Sequence, residues 1–256
     1  ELLHIEAPEL TSWPQQMEGV CVLQTGESWI DFLFESANQN MRLMAPEEVY
    51  PGPYTYRRFW FRDAALILHA MLALGQAERV GQILESFPAK QRRDGYFCSQ
   101  EGEWDSNGQV IWIIYKHYQV TGCELGQAML HSIDQAAKWI ARKRLPKNDT
   151  PISGLMPAGF SAEHFGANDH YYWDSLFSAA GLLLAGEMMV AHAYEIDRGE
   201  HYIEEGKDLL HSLESSFEAN REKNRGAIAA SPHRRMDSAA VGSLCGVYPL
   251  DVMEKR

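Results

Sequence analysis

Three times along this chain an apolar stretch too uniform for a surface helix gives way, through a short glycine turn, to an amphipathic stretch and then a long loop. The apolar members are 62–74 (RDAALILHAMLAL), 110–120 and 172–194; the amphipathic members are 77–87, 125–142 and 202–217. Gly75, Gly122 and Gly199 mark the turns. A helix without a polar face must be covered on all sides, and one with a single polar face covers something else. Repeated pairing of the two kinds therefore predicts helical hairpins, with inner helices wrapped by outer ones. The expected fold is all-α, and the natural closure of such hairpins is an (α/α) toroid. An open helical solenoid would use the same hairpins without a shared mouth. In a toroid the short turns gather at one end and the long loops at the other.

The remaining segments fit this plan. Pro8, Pro14 and Gly19 make residues 1–27 an irregular lead-in, and residues 28–256 form the toroid-like domain. Ser28 is a plausible N-cap for a helix carrying Trp29, Phe32, Leu33, Ala37 and Met41 at helical spacing, and 238–247 reads as a fourth apolar helix. That makes about eight helices. The apolar run 179–191 is broken by Gly186 and Glu187 and falls short of the roughly 20 residues of a membrane span, so it reads as a buried helix.

Composition removes several function classes. At 256 residues with 45% hydrophobic and 23% charged, the chain can bury a sizeable core, and its formal net charge of -12 with no basic stripe argues against nucleic acid. Cys21, Cys98, Cys123 and Cys245 are scattered with no CxxC pair, which predicts reduced thiols and a cytoplasmic setting. No charged-then-apolar leader follows Glu1. His164 and His170 lack the i, i+4 spacing of a helical metal site, and HExxH, GxSxG and GxxxxGK[ST] do not occur, so neither metal nor cofactor is expected.

The chemistry-bearing residues crowd into the long loops. Tyr54 to Ala65 holds Arg57, Arg58, Arg62 and Asp63 among Tyr54, Tyr56, Phe59, Trp60 and Phe61. Aromatic faces that stack on sugar rings, beside an Arg/Asp pair that can grip vicinal hydroxyls, suit a polyol surface. Asp63 alone could simply cap its helix, and so could Asp105 in Trp104-Asp105. The third loop carries Glu163, His164, Asp169, His170, Tyr171, Tyr172, Trp173 and Asp174. A carboxyl whose pKa is raised by apolar or like-charged surroundings is what protonation of a glycosidic oxygen at neutral pH requires. His233-Arg234-Arg235 before Asp237 reads as a solvated basic turn on the same side.

With these residues in view, the chain from about Ser28 to Leu250 resembles the six-hairpin (α/α)6-toroid glycosidases, including glucoamylase-like, trehalase-like and processing α-glucosidase-like enzymes. Trp60-Phe61-Arg62-Asp63-Ala64-Ala65 looks like their W-x-R-D-[AS] segment, which implies that Arg62 and Asp63 hold the terminal sugar. Asp105 in WDSNGQ falls where another substrate-binding acid is common, so Trp60, Trp104, Asp105 and Trp173 join the expected substrate contacts. Gly154-Leu155-Met156-Pro157 departs from the glucoamylase G-[LI]-W-E pattern, whereas Trp173-Asp174 resembles the W-D segment of trehalase-like and processing-glucosidase-like chains. The resemblance thus implies a general acid among Asp174, Glu163 and Asp169, in that order. The general base of the clan commonly lies in later hairpins, and no good candidate follows Asp237.

A closed toroid of this clan has twelve helices, so the resemblance implies an inverting glycoside hydrolase acting on an α-glucoside, present as a partial catalytic domain with about eight of the twelve. It would pair with a missing C-terminal part or with another copy, because an open toroid edge exposes apolar surface. A sugar-binding module without catalysis and a helical scaffold for protein partners are the alternatives.

Overall fold

The structure is a computed structural model that describes residues 12–160 and 167–253. Among these residues it is all-helical apart from loops and one isolated antiparallel bridge between Gly159 and Asp169. The helices are α1 (Trp13–Gln16), α2 (Ser28–Met44), α3 (Phe61–Ala73), α4 (Ala77–Leu84), α5 (Ser106–Thr121), α6 (Gln127–Lys143), α7 (Tyr172–Ala191) and α8 (Ile196–Ala219), with 3₁₀ segments at Pro88–Lys90 and Ser238–Gly246.

The hairpins form two layers. α3 packs on α5, α5 on α7, and α7 on the 3₁₀ segment Ser238–Gly246, which makes an inner row. α4, α6 and α8 lie against this row, each beside the inner helix it follows. The uniformly apolar pattern has its physical counterpart here. Residues Ser106 to Ile114 of α5 are all buried, as are fourteen residues of α7. By length and composition α7 could cross a membrane, yet most of its apolar window is covered by the protein itself.

The inner helices approach closely where side chains are smallest. A Cβ on Gly108 of α5 would overlap the Phe177 carbonyl of α7, and one on Gly181 would meet Gly108 Cα at 2.8 Å. Dispersion contacts fall off steeply with separation, so this approach brings the flanking Val110, Phe177 and Leu182 into dense packing.

Three expectations change. Gly122 does end α5 as a left-handed cap, with φ 65°, but Gly199 ends nothing. It lies in the first turn of α8, where it faces Gly186, on which a Cβ would overlap the Gly199 carbonyl. The turn comes earlier, around Ala193 and Glu195, both at positive φ. Gly199 thus serves helix approach rather than chain reversal. The segment expected as a fourth apolar helix is 3₁₀, Ser238–Gly246. The lead-in contains the short α1, and residues 1–11 lie outside the described residues. In α2, moreover, Trp29, Phe32 and Leu33 are exposed and only Asn38 is buried. The four cysteines are free thiols.

Candidate active site

The starts of α3, α5 and α7 come together at one end of the inner row, and each contributes ionisable side chains. α3 begins where Ser99 Oγ accepts the Phe61 amide at 2.8 Å, satisfying one of the donors a helix start leaves open. One residue on, Arg62 donates to Glu103 Oε1 through Nη2 at 2.7 Å and Nη1 at 3.2 Å, and its Nε lies 3.7 Å from Asp105 Oδ2. Trp60 Nε1 donates to the other Glu103 oxygen at 3.1 Å, and the Arg58 guanidinium lies 4.2 Å from the Trp60 ring centroid. Arg62 therefore bridges two buried carboxylates, with Asp63 adding to the negative field around it. Burial opposes its charge, but Asp105 and Glu103 outweigh burial and hold the guanidinium charged.

Asp105 occupies the residue before α5 but makes no capping bond. Its Oδ2 instead accepts from Trp173 Nε1 at 2.7 Å and from Gln109 Nε2 at 3.0 Å. The capping alternative for Asp105 is thereby corrected, since its carboxylate binds the Trp173 and Gln109 side chains rather than the backbone amides of α5. Trp173 opens α7 over the same group, and Asp174 follows it.

Asp174 is 2% exposed, and its Oδ2 has no hydrogen-bond partner among the described residues. Burial pushes its pKa well above the ordinary carboxylate range, Asp105 and Glu103 push the same way, and Arg62 only partly opposes them. The group is thus pushed toward its neutral form in the field of those carboxylates. Cys245, from the 3₁₀ segment, is buried within the field of Asp174 and Asp105; burial, then those two acids, pushes its thiol pKa up.

The other expected residues lie differently. Trp104 is 7% exposed and sits in an aromatic group with Tyr96 and Trp139, its indole donating to the Ala158 carbonyl at 3.2 Å and the Lys143 ammonium 3.8 Å above its ring. Its ring is committed to packing. Glu163 and His164 lie outside the described residues.

Asp169 belongs to a second group. Its Oδ2 accepts from Ser231 Oγ at 2.5 Å, and its Oδ1 accepts from His233 Nδ1 and the His170 amide, each at 2.7 Å. His170 Nδ1 lies 3.6 Å from the same oxygen. Burial would raise the Asp169 pKa, but the hydrogen bonds from Ser231 and His233 outweigh it and hold the carboxyl below its usual value.

The sequence reading passed over Glu103, Gln109 and Cys245. The signal for Glu103 was its place two residues before Asp105 in EGEWD, but adjacency to Asp63 made that residue the apparent partner of Arg62. No family model, no curated protein and no solved structure matches the chain.

Proposed function

We propose that the chain is a glycoside-hydrolase-like module of an (α/α)-toroid architecture, acting on an α-glucoside, with Asp174 as the proton donor. One observation carries the reading: a buried carboxyl with a raised pKa lies in the field of Arg62, Asp105 and Glu103, where three inner helices begin. A neutral acid can give its proton to a glycosidic oxygen at a pH where an ordinary carboxylate has none to give. Arg62 would then stabilise the carboxylate left behind. Trp60 and Trp173 are half-buried at the same end and offer indole faces to a sugar ring, while Arg62 and Asp63 offer groups for its hydroxyls. Inversion also needs a carboxylate that activates water. This reading places it outside the group around Arg62. The free thiols fit a reducing, cytoplasmic compartment.

The test is turnover of aryl α-glucosides, maltose and trehalose by the wild-type chain and by Asp174→Asn. Asp174→Asn is expected to lower kcat by about 10²- to 10⁴-fold, the usual contribution of a general acid. No turnover by the wild type, or turnover unchanged by Asp174→Asn, overturns the assignment.

The near-complete burial of Asp174 favours a second reading, sugar binding without cleavage, because a donor must reach the oxygen it protonates. Calorimetry separates the two: disaccharide binding that Asp63→Asn abolishes, with no product formed, selects the binding module.

A further inference from the structure

The Asp169 group takes no part in the proton transfer proposed above, and its composition points elsewhere. Asp169, His170 and His233 each offer a ligand atom, and these atoms all lie within 4.8 Å of one another. His233 Nδ1 and Asp169 Oδ1 are 2.7 Å apart, and His170 Nδ1 is 3.6 Å from that oxygen. Ligands about 2.0–2.1 Å from a tetrahedral ion stand about 3.3–3.4 Å apart, a spacing these two distances bracket. His170 Nδ1 is buried, with no hydrogen-bond partner among the described residues. A buried imidazole nitrogen turned to a carboxylate without bonding it is left undersatisfied.

The support around the cluster is of the kind metal ligands need. Ser231 Oγ holds the second Asp169 oxygen at 2.5 Å, and the Gly159–Asp169 bridge fixes the backbone carrying the carboxylate. The His170 and His233 rings meet edge to face at 5.4 Å, and a nitrogen of each lies near Asp169 Oδ1. His233 is 57% exposed, which gives an ion access and leaves coordination positions for water.

We propose that Asp169, His170 and His233 bind one divalent first-row transition metal ion. Two imidazoles with one carboxylate select zinc, cobalt, manganese or iron over calcium and magnesium, which prefer all-oxygen sites. Binding would replace the His233–Asp169 hydrogen bond by two bonds to the ion. It would tie the chain entering α7 to the 231–233 segment, 62 residues or more further along, and so brace the loop that carries Trp173 and Asp174. The sequence hides this site because its ligands come from two distant segments.

The experiment titrates the chelator-treated full chain with Co²⁺, followed by visible d–d absorption, and with Zn²⁺, followed by calorimetry. The expected result is one equivalent bound, with affinity at least about 100-fold weaker in His233→Gln and about 10-fold weaker in Ser231→Ala. His211→Gln, which alters an exposed histidine on α8, should leave binding unchanged. His233 is largely exposed, so its replacement keeps the test valid even if Asp169→Asn fails to fold. Absence of one-equivalent binding, binding unchanged in His233→Gln, or equal loss in His211→Gln overturns the proposal, leaving Asp169 and His233 as an ion pair only.

Discussion

Asp174 and Asp169 lie five residues apart on one segment, yet their surroundings drive them in opposite directions. Asp174, in the first turn of α7, is buried within the field of other acids, and burial pushes it toward its protonated form. Asp169 accepts three hydrogen bonds at the surface end of the same loop and is held ionised. The difference shows how little residue type says about role. A carboxyl becomes an acid where desolvation and like charge dominate, and an anion or ligand where donors surround it.

The comparison breaks most readily at Arg62, the cation that makes the Asp174 side tolerable. Arg62→Ala leaves Glu103 and Asp105 buried without a counter-charge and should cost about 3–5 kcal/mol in urea unfolding. A loss below about 1 kcal/mol would mean the two carboxylates are not truly desolvated.

The next effect concerns pH. A raised native pKa means that the folded state keeps the Asp174 proton after the unfolded chain, near 3.8, has released its own. Stability should therefore fall as pH rises from about 3.8 toward the native value, by up to about 1.4 kcal/mol per pH unit. Asp174→Asn removes this slope, so its advantage over wild type should be larger at pH 7 than at pH 4. An equal gap at both values contradicts the burial argument.

Asp169 should show the opposite sign with a smaller amplitude. Its lowered pKa contributes stability above about 3.8 that is lost as pH falls through the native value. Asp169→Asn is expected to cost about 1 kcal/mol at pH 7, the low end for a bonded charge because His233 is exposed. The cost should vanish in strong acid, and a thermal-melt series from pH 2 to 7 checks it.

Much of the fold was legible because hydrophobic period is a local property. The apolar run of 62–74 predicts α3, although only one face of it is buried and Leu66 is exposed, and Gly122 predicts the end of α5. Gly199 misleads because a glycine that ends a helix and one that lets two helices touch look alike in a chain. The 238–247 segment misleads because apolar composition does not distinguish an α-helix from a 3₁₀ segment resting on α7. At the candidate site, Arg62, Asp105, Trp173 and Asp174 were all picked out, and the structure brings them together. Their pairing was not legible, since Arg62 turns from its neighbour Asp63 to Glu103, 41 residues away.

The sequence by itself determined the hairpins, the inner and outer helices, and the end of the row where polar residues gather, because those follow from burial and spacing along the chain. Only the tertiary structure decided which carboxyl is pushed toward its protonated form, which two an arginine bridges and which faces two histidines. Charge states and ligand sets depend on desolvation and on neighbours within a few ångströms, and those neighbours come from segments that the chain keeps far apart.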